Sequence, residues 1–484
     1  MKKILLVSFL LLFTVKIFAQ QFSLYNTGTL FDSFENVSQR AFTPDTSKRF
    51  AFNFFVPNFN ANFFLGGNAQ ASLKSRTFLF KFNNDLLTIG QGNYNITNAE
   101  GNGYWAMLKM YASVDGDVEL GFSAQTKAEG KGAFSDESIA LFDGTQSFQR
   151  SATYNNIFNS HYYYQTYNQL SFTYREKIGN QFAFGIKLSA LLGVEYQKLD
   201  INSSKAEFYN SVDSVKINLQ GTYQTGFTPG HLSTRDYLPS FRNPGASITL
   251  GTSYRTEDGF LLQANVKDLG FIHWSSRSQS YNFNSSATIH GIGVGASTNS
   301  VREDSIYNNI YNIVHTNNYP AAFVTPVNGK AELSINKNIW LDDEKTIKYS
   351  PTLIASKELF YTGFVAGLVN PVQYKNYTGT VTFTYDDLKT FNLGLQFLLK
   401  SENIEFYIGS DKIVQSVQFL SQAINPKSPN VNRNFSYTGA SAYLGFAVHF
   451  GPVAEHPMNA SSIPTGEPGF LARLWARLFK TNNY

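Results

Sequence analysis

The sequence predicts an all-β fold: a transmembrane antiparallel β-barrel of roughly 14 strands, followed by a C-terminal amphipathic helix. Three observations carry this reading. The chain opens on an export-type segment, with Lys2 and Lys3 ahead of an apolar run from Ile4 to Phe13 and a cleavage site expected after Ala19. Long stretches downstream alternate apolar and polar residues with period 2, the pattern of a strand with lipid on one side and a wet interior on the other. The composition is rich in aromatics, with 44 Phe and 28 Tyr, while mean hydropathy stays negative.

Taken in order, residues 1–19 form the expected signal peptide and residues 20–49 an N-terminal segment, read as either a plug or a periplasmic tail. Residues 50–450 follow as an outer-membrane β-barrel, 451–469 as a linker and 470–484 as a basic amphipathic helix. No later segment approaches the ~18 consecutive apolar residues of a helical span. Lys2, Lys3 and Lys16 leave with the signal, so +1 remains of the formal charge of +4. That balance makes no case for nucleic acid. The chain has no cysteine, which removes a disulfide framework and a thiolate metal site.

The cleanest strand starts at Phe182. Phe182, Phe184, Ile186 and Leu188 share one face, while Lys187, Ser189, Gly193 and Glu195 take the other. The preceding segment sets Tyr162, Leu170 and Phe172 against Gln169, Thr173 and Arg175, with a tight turn at Gly179-Asn180. Val215-Ile217-Leu219 against Lys216, and Phe391 to Leu399, repeat the pattern, and Leu444 to Phe450 closes the series. Short links such as Glu257-Asp258-Gly259 read as periplasmic turns. The longer polar stretches near 128–160, 225–244, 285–327 and 411–436 read as the opposite side, and residues 300–315 could form a short helix within one of them.

The inward charges expected from the alternation are Lys109, Glu119, Arg175, Lys187, Glu195, Lys216 and Lys267, joined by Glu332 and Glu405. Their mixed signs predict pairing across the lumen rather than a strongly selective pore. Catalytic and metal patterns are missing: the seven histidines occur singly, with no zinc spacing and no nucleophile elbow. No enzyme, cofactor or metal site is expected. After the barrel, Phe470, Leu471, Leu474, Trp475, Leu478 and Phe479 recur at helical spacing with Arg473 and Arg477 opposite. Such a helix suits the periplasmic leaflet or a partner's groove.

The alternation breaks at Asp268: Phe260, Leu262, Ala264 and Val266 share a face that Leu269, Phe271 and Trp274 do not continue. A bulge near Asp268-Leu269-Gly270 would re-aim the strand there. The segment from Asn265 to Trp274, with Asn243-Pro244-Gly245 before it, resembles a family of Bacteroidota outer-membrane proteins of unknown function, relatives of FadL- and PorP-like barrels. The resemblance covers most of residues 22–451 and leaves out the C-terminal helix. It implies place and fold, and transfers no catalytic residue.

Three functional readings follow. One is a FadL-like carrier or pore for small hydrophobic molecules, with Leu191 and Leu398 lining an apolar path. The second is a non-transporting scaffold that holds envelope or secretion partners, through 470–484 among other surfaces. A barrel-embedded hydrolase stands far behind. Outer-membrane lipids are the one partner common to all three.

Overall fold

The computed structural model describes residues 22–39, 47–53, 56–113, 116–179, 181–209, 213–226, 239–293 and 298–453, with Phe470 and Arg473 beyond them. The expected signal segment 1–19 lies outside the described residues, as do 454–469 of the linker and Leu471, Leu474, Trp475, Arg477, Leu478 and Phe479 of the terminal helix. Phe470 and Arg473 are themselves helical and exposed.

Fourteen strands form the wall. They are β1 (Lys48–Phe52 and Asn58–Gly66), β2 (Tyr94–Tyr111), β3 (Val118–Ser135), β4 (Ser160–Ile178), β5 (Phe182–Phe208), β6 (Pro244–Arg255) and β7 (Phe260–Trp274). The second half comprises β8 (Lys330–Lys337), β9 (Thr352–Glu358), β10 (Phe364–Tyr374), β11 (Tyr377–Asp386), β12 (Phe391–Lys400), β13 (Ile404–Ser410) and β14 (Thr438–Val453). Each pairs antiparallel with the next, and β14 returns to β1 through Phe50↔Phe450 and Phe59↔Leu444. Closure leaves no strand edge unpaired, which a sheet in hydrocarbon requires.

One end of the barrel carries tight links. At Lys375 the backbone turns left-handed, so Tyr374 faces Tyr377 across a two-residue loop. Gly259 does the same between β6 and β7. The other end carries the long connections and their helices: α2 (Gln70–Leu79), α3 (Asp136–Asp143), α4 (Asn299–Val314) and α5 (Ile413–Ile424), numbered after the helix inside the barrel described below.

The outer face is apolar where a water-soluble sheet would be polar. Ile335, Leu353, Leu368, Phe383 and Leu393 stand directly across from one another on five successive strands. Leu353 is 57% exposed and Leu333 is 65% exposed. A contiguous exposed band of this kind costs free energy in water and none in acyl chains. The wall is therefore a membrane-spanning one.

Two residues expected inside the barrel lie elsewhere. Beyond Leu192 the second half of β5 leaves β6 and pairs with Ser214–Thr225, which pairs in turn with Gln279–His290. This ribbon stands past the long-loop end, outside the 14-strand wall. Lys216 belongs to it and is exposed, while Val215, Ile217 and Leu219 bury into a cluster with α3 and α4. An extramembrane ribbon alternates as a wall strand does, with solvent and a core in place of lumen and lipid. Glu195 is displaced for a different reason. Tyr167 pairs with Gly193 but Thr166 with Glu195, so Val194 is an extra residue on β5. Paired residues share a face, and the bulge turns Glu195 away from the side that Lys187 occupies.

Candidate functional site

Residues 22–39 lie inside the barrel. Their centre is α1 (Leu30–Glu35), capped at its start by Thr29, whose hydroxyl accepts from the Asp32 amide at 3.2 Å. Leu30, Phe31 and Phe34 recur at helical spacing and point at one sector of the wall. There, with Leu24, they pack on Tyr104, Met107, Leu398, Tyr407 and Tyr443. Phe22 packs on Ile354 and Val369, while Tyr25, Ser33, Glu35 and Gln39 meet a charged sector on β2–β8.

That sector is held by a set of ion pairs. Glu35 takes Lys267 at 2.8 Å and the Tyr104 hydroxyl at 2.6 Å. Lys267 also donates to the Tyr25 hydroxyl oxygen at 2.9 Å and stands 3.7 Å from Glu332, whose other oxygen accepts from the Tyr25 hydroxyl at 2.7 Å. Nearer the tight-turn end, Lys109 donates to Ser33 at 2.9 Å, and Glu119 bridges Lys109 and Arg175 at 3.8 and 2.7 Å. Arg175 donates onward to the Gln39 carbonyl, and Lys187 to that of Phe34 at 3.2 Å. On the opposite side Lys400 donates to the Thr27 and Gly28 carbonyls, and Glu405 accepts from the Leu30 amide at 2.7 Å. His449 completes this group, 3.0 Å from Glu405.

Of the inward charges read from the sequence, the structure brings Lys109, Glu119 and Arg175 into one cluster, and Lys187 and Lys267 into a second with Asp268. Lys216 and Glu195 join neither. Sequence reasoning missed Lys127, Lys330 and Lys400, which complete the pairs, and the inner partners Asp32 and Glu35. Glu35 ends a short helix ahead of the first strand, so the period-2 alternation could not flag it.

The bulge on β7 places Asp268. Val266 pairs with Leu250 and Leu269 with Ile248, leaving Lys267 and Asp268 both turned inward. Asp268 sits at a positive φ of 48°, a conformation that Asp tolerates better than most residues. Its amide donates to the Thr249 hydroxyl at 2.9 Å, and its carboxylate takes Lys127 at 2.7 Å and Gln169 at 3.0 Å. Gly270 passes flush against Ala246 and Ser247. Trp274 is fully buried with Leu191 and Tyr196, its indole donating to Thr325 at 2.8 Å.

Burial sets the two inner carboxyls apart. Asp32 is fully buried and its acid is pushed up to about 7, with the Gly28 amide, Arg175 and Lys109 opposing only part of that rise. Burial would raise Glu35 as well, but Lys267, Lys127 and Lys187 outweigh it and hold it well below the usual carboxylate range. Among the described residues no group of His, Cys, Asp and Glu is placed to hold a metal ion.

A family model described as a family of unknown function (DUF5723) matches residues 41–411. None of the curated proteins compared matches the sequence. Among solved structures, the TodX deltaS2S3 mutant, a monoaromatic hydrocarbon channel, is similar over 86% of this chain and 94% of its own, at 8% identity and a TM-score of 0.42. The toluene transporter TbuX of Ralstonia pickettii is similar over 84% and 90%, at 11% identity and 0.39. A Pseudomonas aeruginosa FadL homologue is similar over 83% and 90%, at 9% identity and 0.38.

Proposed function

The chain belongs to DUF5723, a family of unknown function, and from that premise we propose that it is an outer-membrane carrier whose lumen is closed by a displaceable N-terminal plug. The observation that carries this reading is the way residues 22–39 fill the interior. A small barrel of about eight strands fills its interior with its own side chains. Fourteen strands enclose more than wall side chains can occupy, and here a separate segment supplies the rest. A wall needed only as an anchor has no use for that width.

The plug also indicates what takes its place. Its Leu24, Leu30, Phe31 and Phe34 cover an aromatic and aliphatic patch on β1, β2 and β12–β14 that would otherwise face water. With the plug withdrawn, that patch suits a small molecule with an apolar body, bound as most ligands are, by apolar contact with a few polar groups fixing orientation. The tight-turn end, where the plug enters, is then the periplasmic side, and the loops with α2–α5 face outward. Leu398 belongs to this patch; Leu191 packs instead under Trp274.

Planar-bilayer conductance and uptake of a small aromatic solute into proteoliposomes test the proposal. The full-length protein is expected to be silent, and a variant lacking residues 22–39 to conduct and to admit the solute. A deletion variant that folds, inserts and stays closed would refute it.

A second reading has one observation in its favour. The plug's Glu35 is neutralised by Lys267 of the wall, as suits a permanently closed scaffold, and the exposed Phe470 and Arg473 present a surface for a periplasmic partner or for the membrane. Crosslinked co-purification with and without residues 465–484 separates it from the carrier.

A further inference from the structure

Above the plug the lumen keeps a small cavity of ≈ 50 Å³, bounded by Tyr25, Phe31 and Glu35 below and by residues of β2, β3, β7 and the approach to β8 around it. The charges that line it are mostly matched. Lys127 pairs with Asp268, Lys267 with Glu35 and Glu332, and Lys330 with Glu100 at 3.3 Å. Lys131, just outside, is taken by Glu358. One carboxylate is left over. Glu129 is 6% exposed, and its Oε1 is buried with no hydrogen-bond partner. Its cross-strand neighbour is Glu100, directly opposite on β2, and like charges in that position repel.

A second, independent feature points the same way. Asn328 is 7% exposed, lines the same cavity, and neither its Oδ1 nor its Nδ2 has a partner. Asn102, also on the lining, has a buried Oδ1 without one. Buried polar atoms are almost always satisfied by protein, water or ligand. Three of these four orphan atoms are acceptors. A fitting occupant is therefore rich in donors or positive, compact, and adjacent to the Glu129 carboxyl, whose Oε1 is buried without a partner.

From this geometry we infer that Glu129, Asn328 and Asn102 form a lumenal site for a compact monovalent cation, of the class of ammonium or the ammonium head of a small primary amine. The cation would sit between the Glu100 and Glu129 carboxyls, hold both ionised by relieving their repulsion, and donate to the amide oxygens of Asn102 and Asn328. The space holds an ammonium group with a few waters, and a quaternary ammonium has no N–H to donate to these acceptors. Since Tyr25, Phe31 and Glu35 form its floor, the site exists only while the plug is seated. The inference goes beyond the carrier reading and does not need it: a permanently closed barrel would hold the same site.

The test is the thermal unfolding midpoint of the full-length protein in detergent, followed against ammonium chloride, methylammonium chloride and tetramethylammonium chloride at equal ionic strength. A ligand that binds only the folded state raises the midpoint with saturation. Ammonium is expected to give a saturable rise, and tetramethylammonium none. A rise with ammonium alone assigns the site to the free ion; a larger one with methylammonium assigns it to an amine head. Glu129→Gln, which keeps shape and removes the charge, is expected to weaken binding at least tenfold, and Asn328→Ala several-fold. As a control, Glu176→Gln at the tight-turn end should leave it unchanged. Equal midpoints in all three salts, or an unaltered response in Glu129→Gln, overturn the proposal. Conductance of the plug-deleted variant is read separately, so failure here and failure of the carrier reading are distinguishable.

Discussion

Asp32 is the residue on which the plug's seating turns. One of its carboxyl oxygens accepts from the Gly28 amide at 3.0 Å, and the other is buried without a partner. That is a comfortable arrangement for a neutral acid and a poor one for an ionised one. Its acid is raised from 3.8 to about 7 in the seated state. A raised carboxyl contributes its stabilisation in full below the unseated value, and the contribution is lost as pH rises through the seated one. Asp32's contribution to seating is thus complete below about pH 4 and gone by about pH 7. Glu35, shifted downward, acts with the opposite sign and only in more acid solution. Limited proteolysis of residues 22–39 is therefore expected to speed up between about pH 4 and pH 7 and to level off above that. Asp32→Asn should flatten that profile and keep the plug protected at the upper end; a profile unchanged by the substitution would dispose of the assignment.

At the scale of elements, the contact between plug and wall can be broken from the wall's side. Gly185 on β5 has ordinary extended backbone and faces inward, where an added Cβ would collide with the Val37 carbonyl. Gly251 on β6 lies against Val37 and Ser38 in the same way. Gly185→Val leaves the strand a good strand, since β-branched residues suit extended backbone, yet removes the space that Val37 needs. We expect it to insert at wild-type levels and to leak in bilayers, approaching the conductance of the plug-deleted variant. A tight Gly185→Val barrel would show that the plug is not seated by this contact.

The same scale shows what the sequence could and could not reveal. Alternation on β4, and on β5 as far as Gly193, was legible because lipid and lumen each demand one kind of side chain at every second position. Glu195 was misplaced because one extra residue, Val194, reverses the alternation and leaves no mark in composition. Lys216 was misplaced because a ribbon over a small core shows the same period as a wall. The break at Asp268 was legible as a bulge, but its partners Lys127, Gln169 and Thr249 come from three other strands and meet it only in the closed barrel. α1 is too short to show a helical period of its own, which left plug and periplasmic tail open as alternatives. Within residues 411–436, read as a polar loop, α5 turns Val414, Val417, Leu420 and Ile424 outward and buries Ser416 and Gln422. That pattern runs opposite to the one a soluble helix shows.

For the whole molecule, the decisive balance is between an exposed apolar belt and a polar, internally paired interior, the reverse of a soluble protein. A soluble sheet that exposed Leu353 and Leu333 would gain solubility, and lose little stability, by exchanging either for arginine. In a bilayer the same exchange must drag a guanidinium into hydrocarbon, at a cost of about 2–4 kcal/mol near the midplane that falls toward zero at the interfaces. Leu353 has apolar outward neighbours on both sides in the row that runs from Ile335 to Leu393, so its substitution falls within the belt. Val301 is exposed to a similar degree, 58%, but lies on α4 beyond the long-loop end. Reversible denaturant unfolding in lipid vesicles should show Leu353→Arg destabilised by roughly 2–4 kcal/mol and Val301→Arg left near wild type. Equal effects at the two positions would mean that the belt meets water rather than acyl chains, and the plug, the lumen and the cation site would then need to be reinterpreted as parts of a soluble shell.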